Sequence, residues 1–272
     1  MARLRSVRAL SNLLFGDPSH RLQRMIFRAA ARGFTLEQPA FPADLHLPPV
    51  FGRRLPERVV ELVLAWTTYT PGARVLDVGH SNIMECHRRL LSRLRPPVHL
   101  TGIDIASPNY DVSSFYERSI LADITNTGLA AESFDRIWCI STLEHIGMDN
   151  TGYTQNFKLD LHLDTIALGE MYRLLAPDGL LLITVPFGKF ENHGWMRNYD
   201  LASWHRLLDP LREYGDVHEH YFRYDPDRGW KRVAASQLEM TGYYDHPNAG
   251  ASGLAAVIIH KPAGKHIPAR GT

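Results

Sequence analysis

The stretch ARVLDVG at residues 73–79 determines the fold class of this chain. It is short and mostly apolar, as the buried strands of parallel sheets are. Upstream, Pro56 and Glu57 suit a first helical turn, and apolar residues at helical spacing follow until Pro71 and Gly72. The stretch therefore predicts the first strand of an α/β unit, preceded by a helix.

Strand-like and helix-like segments alternate after this first strand. Helices are predicted from Asn82, where Asn82 and Glu85 have the spacing of a capping box, and at residues 160–175 and 200–211. This alternation predicts an α/β fold with a mainly parallel sheet, helices on both faces and right-handed crossovers. The remaining predicted strands are VHLTGIDI (98–105), RSILADI (118–124), FDRIWCIS (134–141), LLLITVPF (180–187), VHEHYFRY (217–224) and LAAVIIHK (254–261).

The chain is predicted to divide into a main domain and two flanking segments. Residues 56–262 form the α/β domain, and residues 263–272 form a C-terminal tail. In residues 1–55, two short helical patterns precede a Pro-rich segment at 38–52, which cannot continue a helix and is predicted to be a connector or lid. One predicted helical face of this N-terminal helical appendage carries four arginines, Arg21, Arg24, Arg28 and Arg32. This face is either a charged surface exposed to solvent or a binding surface for an anionic partner.

Composition excludes several classes of protein. A formal net charge of +1 provides no general attraction to a polyanion. This charge argues against a DNA-binding protein and weakens the case for an RNA-binding one. Two cysteines, Cys86 and Cys139, exclude a disulfide framework and favour a cytoplasmic protein. The apolar stretch at 179–187 is too short for the roughly 20 residues of a membrane helix, so no membrane anchor is expected. The basic residues 1–16 resemble a transit peptide, but we favour an amphipathic helix.

The residues that end the predicted strands favour an adenosine-type ligand. Gly79 allows a sharp turn and a close approach of the backbone, next to the free amides of a helix. Asp104 can accept hydrogen bonds from both hydroxyls of a ribose. Asp123 can accept from the exocyclic amine of an adenine while Ile124 covers the ring. Each aspartate could instead cap a turn, but carboxyl ends of parallel strands share one edge of a sheet, where ligands bind.

Four segments resemble, in order, the motifs of class I S-adenosylmethionine (SAM)-dependent methyltransferases. They are VLDVGHSN (75–82), LTGIDIAS (100–107), LADITNTGLAAESFDRIWCISTLEHI (121–146) and MYRLLAPDGLLLITVPF (171–187). The resemblance covers residues 73 to about 188. It implies a Rossmann-like, seven-stranded sheet whose last strand is antiparallel. It also implies SAM as the cofactor, lying over the strand ends, and S-adenosylhomocysteine as its product.

The resemblance also implies which residues bind the cofactor. Asp77 and the loop of Gly79, His80 and Ser81 would flank the methionine portion. Asp104 with Ile105 would hold the ribose, Asp123 with Ile124 the adenine, and Ser141 with Leu143 would line the sulfonium side. The family's first loop usually reads G-x-G-x-G, whereas Ser81 and Ile83 stand at the second and third glycine positions. This departure leaves open a non-catalytic SAM-binding protein and counts against a nicotinamide dehydrogenase.

Two histidines are candidates for the general base of a methyl transfer. His145 follows the fourth strand, where a base can reach the methyl group. Its alternative role is a structural one or a contact with the cofactor. His193 lies in the polar and aromatic segment after the fifth strand. The same segment carries the predicted substrate-binding residues Glu191, Trp195, Asn198 and Tyr199. The run His218, Glu219 and His220 lacks a third ligand of suitable spacing, so no metal is predicted.

Together these observations predict a SAM-dependent N- or O-methyltransferase of a polar small molecule. Arginine supplies 25 of the 30 basic residues, which is typical of GC-rich bacterial genomes and hints at secondary metabolism. We therefore predict an amino sugar or glycoside substrate, as in antibiotic biosynthesis. The alternatives are a non-catalytic SAM-binding protein and an RNA methyltransferase that uses the arginine face at 21–32. No feature of the sequence indicates an oligomeric state.

Overall fold

The structure is a computed structural model that describes residues 47, 49–94, 97–246 and 250–264. Nearly all of the predicted appendage at 1–55, including its arginine face, and most of the predicted tail at 263–272 lie outside these residues. Among the described residues, no helix is both long and apolar enough to cross a membrane.

In the described part of the chain, the central element is a mixed sheet of eight strands. Its strands are β1 (Arg74–Val78), β2 (His99–Asp104), β3 (Arg118–Leu121), β4 (Phe134–Ile140), β5 (Leu175–Pro186), β8 (Asp216–Asp225), β9 (Gly229–Val233) and β10 (Gly253–His260). A separate two-stranded ribbon consists of β6 (Glu191–Asn192) and β7 (Arg197–Asn198). The described α-helices are α1 (Arg58–Thr68), α2 (Glu85–Leu91), α3 (Leu163–Leu174) and α4 (Leu201–Leu208).

The strand order in the sheet is β3-β2-β1-β4-β5-β10-β8-β9. The pairs from β3 to β5 are parallel, whereas β10 runs antiparallel to both of its neighbours. This arrangement confirms the mainly parallel α/β fold. It brings the carboxyl ends of β1, β2, β3 and β4 to one edge of the sheet, which is where the sequence places its candidate ligand-binding residues.

The predicted count of seven strands is wrong, because β9 is an eighth strand at the edge of the sheet. It pairs antiparallel with β8 across a tight turn, in which the Asp225 carboxylate accepts hydrogen bonds from the backbone N–H groups of Asp227 and Arg228. β9 escapes detection because it has only five residues, begins with Gly229 and exposes Lys231 to solvent. Such a strand lacks the apolar run that identifies the buried strands.

Helices cover both faces of the sheet, as predicted. On one face, α1 and α2 pack on residues such as Val75 and Leu100. On the other face, α3 and α4 pack on residues such as Leu76 and Ile103. The strands contribute to both layers because successive side chains point to opposite faces.

The predicted capping box at Asn82 is not formed. Residues His80–Asn82 make a 3₁₀ turn, and α2 begins at Glu85 without a side-chain cap. The Glu85 carboxylate is instead paired with Arg88 and Arg89, at 2.9 Å each, one turn further along the helix. These ion pairs keep the Glu85 side chain from turning back to the helix start, as a capping box requires.

Candidate active site

A cavity of about 230 Å³ opens at the carboxyl ends of the parallel strands. Its wall includes eight residues that the sequence singled out: Gly79, Ser81, Asp104, Ile105, Asp123, Ile124, Ser141 and His145. The structure therefore brings together residues that are more than 60 positions apart in the sequence. The convergence results from the parallel strand order, since each of these residues lies at or just beyond the end of its strand.

The first loop requires a glycine at position 79. Gly79 has a φ of +89°, and a Cβ atom there would overlap the side chain of Thr142 in the loop after β4. The next residue, His80, points away from the cavity, as its fully buried ring packs over Gly102 of β2 and its Nε2 lies 2.7 Å from the Ser119 hydroxyl. His80 therefore joins the loop to β2 and β3 instead of lining the cavity wall.

The two missing family glycines are not needed by this backbone. Ser81 is not in the left-handed region, and Ile83 is extended, with φ −69° and ψ 143°. The Ser81 N–H group donates to Asp104 Oδ2 at 3.0 Å, which connects the loop to the end of β2. The departure from G-x-G-x-G is thus compatible with an open cavity at this loop.

Asp104 retains the capacity to bind a ribose. Its Oδ2 accepts from Ser81, and its Oδ1 accepts from the N–H group of Ala106 at 2.9 Å. A carboxylate has about four lone-pair sites, so each oxygen can still accept one hydroxyl. The two backbone contacts hold the carboxylate at the cavity wall, and the donor set that a ribose offers fits the remaining sites.

Asp123 and Ile124 occupy the adjacent part of the wall, beyond the end of β3. The Asp123 Oδ1 accepts from the N–H group of Thr125 at 2.8 Å, and the Ile124 side chain is packed in the core with 6% of its surface exposed. An acceptor beside a fixed apolar side chain fits the amine edge and the face of an adenine. The wall therefore offers ribose and adenine contacts on neighbouring strands.

Comparisons with known proteins agree with this geometry. Residues 76–183 match the family model of a methyltransferase domain. A ubiquinone biosynthesis O-methyltransferase of Hahella chejuensis is 29% identical over 156 residues, which are 51% of this chain and 63% of that protein. The match thus spans less than two thirds of the relative. Residues 76–183 therefore contain a methyltransferase domain, which supports a class I SAM-dependent methyltransferase with SAM as its cofactor.

Solved structures with a similar fold include two methyltransferases. One is the 1,6-didemethyltoxoflavin-N1-methyltransferase of Burkholderia thailandensis, with a TM-score of 0.48, 16% identity, and coverage of 89% of this chain and 88% of that chain. That structure contains 1,6-didemethyltoxoflavin and S-adenosylhomocysteine. The other is a SAM-dependent methyltransferase of Archaeoglobus fulgidus, with a TM-score of 0.49, 15% identity, and coverage of 77% and 96%.

Arg58, at the start of α1, is a cavity residue that sequence analysis missed. Its Nη1 lies 3.0 Å from Glu61 Oε2, while its Nε is buried and has no hydrogen-bond partner among the described residues. A guanidinium at the cavity wall can hold the carboxylate of the SAM methionine portion. The available sequence signal was Glu61, an acid within the otherwise apolar run of α1, which indicates a buried polar network.

Ser141 connects this network to the cavity wall. Its Oγ donates to Glu61 Oε1 at 2.6 Å, and its N–H donates to the Thr184 carbonyl at 3.1 Å. Ser141 has a φ of +42°, a strained conformation for a residue with a side chain. Leu143, which was expected beside it, is fully buried in the core and is not part of the cavity wall.

Asp77 lies behind the first loop and does not line the cavity. It is 1% exposed, accepts a 2.6 Å hydrogen bond from the Tyr116 hydroxyl and lies 3.5 Å from His87 Nε2. Burial raises the pKa of Asp77 to about 7, although the Tyr116 hydrogen bond acts in the opposite direction. Burial also lowers the pKa of His87 to about 3. Asp77 therefore supports the loop from the core side in this structure.

In the candidate base His145, Nε2 is the nitrogen that can accept a proton, and it lies 3.9 Å from Glu144 Oε1. Its Nδ1 lies 3.0 Å from the carbonyl oxygen of Trp195, and its ring is 5.2 Å from the Trp195 ring. A carbonyl only accepts, so Nδ1 carries the hydrogen and Nε2 is the acceptor nitrogen of the neutral ring. Burial lowers the pKa of His145, which favours that neutral form.

His193 is not on the cavity wall and lies between two tyrosine rings. Its ring centre is 5.5 Å from that of Tyr243 and 5.3 Å from that of Tyr244. Glu191, which was expected to bind substrate, accepts a 2.7 Å hydrogen bond from the Tyr243 N–H group and lies 3.7 Å from His193 Nε2. Trp195 is 38% exposed. We call these polar and aromatic side chains the rim, and Trp195 joins it to the cavity wall through its contact with His145.

The other two expected substrate contacts, Asn198 and Tyr199, are buried in the core. Tyr199 donates from its hydroxyl to Asp164 Oδ2 at 3.1 Å, and Asn198 donates from Nδ2 to the Lys189 carbonyl at 2.7 Å. The structure therefore keeps both side chains away from the cavity. The Asn198 Nδ2 group and the Tyr199 hydroxyl are used in internal hydrogen bonds, which sequence alone does not distinguish from ligand contacts. Within the described ranges, no group of three or more potential metal ligands is present.

Proposed function

We propose that this chain transfers the methyl group of SAM to a nitrogen or oxygen atom of a polar small molecule. The observation that carries the proposal is the convergence of Gly79, Asp104, Asp123 and Ser141 on one cavity. SAM supplies a methyl group activated by a positively charged sulfur. The protein must then hold a nucleophile in line with that methyl group, exclude water and accept a proton where the acceptor needs to lose one.

In this proposal the cofactor spans the cavity from β3 to α1. Asp123 and Ile124 hold the adenine, Asp104 with Ile105 holds the ribose, and the backbone of Gly79 and Ser81 approaches the methionine portion. Arg58 pairs with the methionine carboxylate, and Ser141 lies beside the sulfonium. The normal backbone of Ser81 and Ile83 supports a working SAM site despite the altered glycine loop, so we favour an enzyme over a non-catalytic binding protein.

The acceptor is proposed to bind on the side of the cavity formed by His145 and the rim. His145 can accept a proton at Nε2, and His193 is the second candidate base. The exposed aromatic side chains of Trp195 and Tyr244 offer flat apolar surfaces beside the carboxylate of Glu191. Stacking surfaces next to hydrogen-bonding groups suit a sugar-like molecule. We therefore propose an amino sugar or glycoside acceptor, as in antibiotic biosynthesis.

The remaining organisation is also proposed from the sequence. The segment 1–55 acts as an appendage and lid over residues 56–262, with 263–272 as a tail. A cytoplasmic location follows from the low cysteine content.

Calorimetric titration of S-adenosylhomocysteine into the protein tests the cofactor site. We expect Asp104→Ala to weaken binding by about 1–3 kcal/mol, because a ribose hydrogen-bond partner is lost. Asp227→Ala, which removes an exposed aspartate in the β8–β9 turn, serves as the matched control and should bind normally. Equal dissociation constants for the two variants would remove the assignment of Asp104.

Methyl transfer itself is measured as S-adenosylhomocysteine formation over a panel of amino sugars and glycosides. Turnover that requires both SAM and one of these acceptors supports the proposed reaction. Tight cofactor binding without turnover across the panel would favour the non-catalytic alternative.

A further inference from the structure

We infer that the loop of residues 147–160 forms the subsite for the methyl acceptor, and that Asn150 Oδ1 accepts a hydrogen bond from a hydroxyl group of that molecule. We call residues 147–160 the acceptor loop. The inference rests on the proposed function, since it needs SAM in the same cavity. It deepens that function by favouring an uncharged, hydroxyl-bearing acceptor of the glycoside type over one that binds through an ammonium group.

The acceptor loop forms a part of the cavity wall that the cofactor assignments leave unused. Five of its residues line the cavity: Gly147, Asn150, Tyr153, Phe157 and Lys158. The loop begins two residues after His145, the candidate base, and lies away from the strand ends assigned to adenine and ribose. Because the acceptor must bind beside both the methyl group and the base, this free stretch of wall is where we expect it.

Backbone contacts hold the acceptor loop at both of its ends. The Asp160 N–H group donates to the Gly147 carbonyl at 3.1 Å. Gly147 has a φ of +80°, and a Cβ atom there would overlap the Asp160 carbonyl oxygen, so the two ends of the loop are in close contact. The Asp149 N–H group donates to the Gly194 carbonyl at 3.0 Å, in the turn between β6 and β7. The acceptor loop is therefore fixed to the β6–β7 ribbon beside the cavity.

The orientation of the Asn150 side-chain amide follows from its hydrogen bonds. Asn150 is 6% exposed, and its Nδ2 donates to the carbonyl oxygens of His145 at 3.0 Å and of Met148 at 3.2 Å. The opposite orientation would place Oδ1 against these two carbonyls, where no hydrogen is available for a bond. Both hydrogens of Nδ2 are thus used inside the protein.

The Oδ1 atom is what Asn150 can offer to a ligand. Among the described residues, it accepts no hydrogen bond, and unlike Asn198 Oδ1 it is not fully enclosed by the protein. Buried polar atoms in proteins nearly always have a partner. An acceptor atom without a donor, on a residue of the cavity wall, fits an O–H or N–H group that arrives with the ligand.

Two aromatic side chains of the acceptor loop give the subsite apolar surfaces. Tyr153 is 47% exposed, and its ring centre lies 6.0 Å from that of His145 at an interplanar angle of 76°. Phe157 is half-buried on the same wall. Aromatic faces beside a hydrogen-bond acceptor fit a ring that carries C–H groups on its face and hydroxyl groups at its edge.

The charges around the acceptor loop favour a hydroxyl group over an ammonium group. Lys158 is a cation of this wall, and no ion pair joins it to another described residue. The acids of the loop, Asp149 and Asp160, are exposed and do not line the cavity. Burial raises the pKa of Glu144, behind the wall, well above its usual range and so favours its neutral form. An ammonium group would therefore meet the charges of Lys158 and of the SAM sulfonium, which a hydroxyl group avoids.

Two pairs of small probes test the subsite on protein saturated with S-adenosylhomocysteine. Cyclohexanol and methoxycyclohexane share a saturated ring, and phenol and anisole share an aromatic ring. The alcohol of each pair can donate a hydrogen bond and the methyl ether cannot. Ligand-observed NMR titrations give the dissociation constants, and the ratio of ether to alcohol constants is the quantity compared between variants. We expect this ratio for the cyclohexanol pair to be about 5-fold higher in wild type than in Asn150→Ala, because one hydrogen bond is lost.

The matched control is Asn156→Ala, which removes an exposed asparagine of the same loop that does not line the cavity. This variant should keep the wild-type ratio. A purely structural role of Asn150 would weaken alcohol and ether equally, so an equal ratio in wild type and Asn150→Ala would overturn the inference. A change confined to the phenol pair would support the Asn150 contact and replace the sugar-like acceptor with an aromatic one.

Binding of S-adenosylhomocysteine separates the possible failures. Asn150→Ala should bind it as wild type does, because Asn150 is outside the residues assigned to the cofactor. If this variant does not fold, a crystal of the wild-type complex soaked with cyclohexanol decides: a hydroxyl group at hydrogen-bond distance from Asn150 Oδ1 supports the inference, and one bound elsewhere overturns it. Failure of the wild-type protein to bind S-adenosylhomocysteine would instead contradict the proposed function.

Discussion

Replacing Asp77 by asparagine should change how the stability of the protein depends on pH. Burial raises the pKa of Asp77 from 3.8 to about 7 in the folded protein. Between these two values the folded state keeps the proton and the unfolded state releases it. The folded state therefore binds more protons, and the contribution of Asp77 to stability is lost as pH rises from about 4 to 7.

The magnitude follows from the width of this window. Each pH unit inside it changes the free energy of unfolding by about 1.4 kcal/mol. From pH 5 to pH 7, the wild type should therefore lose about 2 kcal/mol relative to Asp77→Asn, since the slope falls off as the folded-state carboxyl group ionises near pH 7. His87, whose pKa burial lowers to about 3, opposes this trend in the wild type. Because His87 is present in both proteins, its contribution cancels in the difference to first order.

Urea unfolding at pH 5, 6, 7 and 8 without cofactor measures this difference, with tryptophan fluorescence as the signal. The Asp77→Asn curve should rise relative to wild type between pH 5 and 7 and then level off. Asp227→Asn, at an exposed turn position, should stay parallel to wild type throughout. Parallel curves for Asp77→Asn would refute the assignment of a raised pKa to Asp77 and the interpretation of its buried pair with Tyr116.

Further substitutions test the packing around the site by urea unfolding. Gly102→Ala should cost about 1–3 kcal/mol, because the new methyl group overlaps the His80 ring, and an unchanged stability would contradict that packing. Gly169→Ala should raise the free energy of unfolding by about 1 kcal/mol, since this glycine is within α3 and has open space around its Cα. A lower free energy of unfolding would show a contact that is not present in the structure. Asp164→Ala should lower the free energy of unfolding by about 3–5 kcal/mol, because it leaves the buried Arg197 without its carboxylate partner at 2.8 Å. A decrease below about 1 kcal/mol would show that hydrogen bonds to backbone carbonyls are enough to stabilise the Arg197 guanidinium.

The sequence predicted the central strands because each is a short apolar run with a polar residue at its end. That pattern also predicted which residues would meet, since parallel strands carry their carboxyl ends to one edge. Gly79, Asp104 and Asp123 accordingly lie on one cavity. β9 was missed because an exposed edge strand owes its form to pairing with β8, a tertiary contact without an apolar signature.

The directions of the side chains were harder to predict from the sequence than the positions of the strands. His80 belongs to the expected cofactor loop, yet its ring fills space over Gly102, which depends on the contact between two strands. Tyr199 follows a polar segment but is fully buried against Asp164. Arg58 reaches the cavity only because α1 packs beside β4 and β5. In each case the residue type is visible in the sequence, while its orientation is set by packing with distant elements.

A crystal structure of the protein with S-adenosylhomocysteine tests the central claim most directly. We expect the ribose hydroxyls on the Asp104 carboxylate and the adenine amine on Asp123, with Ile124 against the ring. A ligand bound at another edge of the sheet, or one that leaves both carboxylates untouched, would contradict the account.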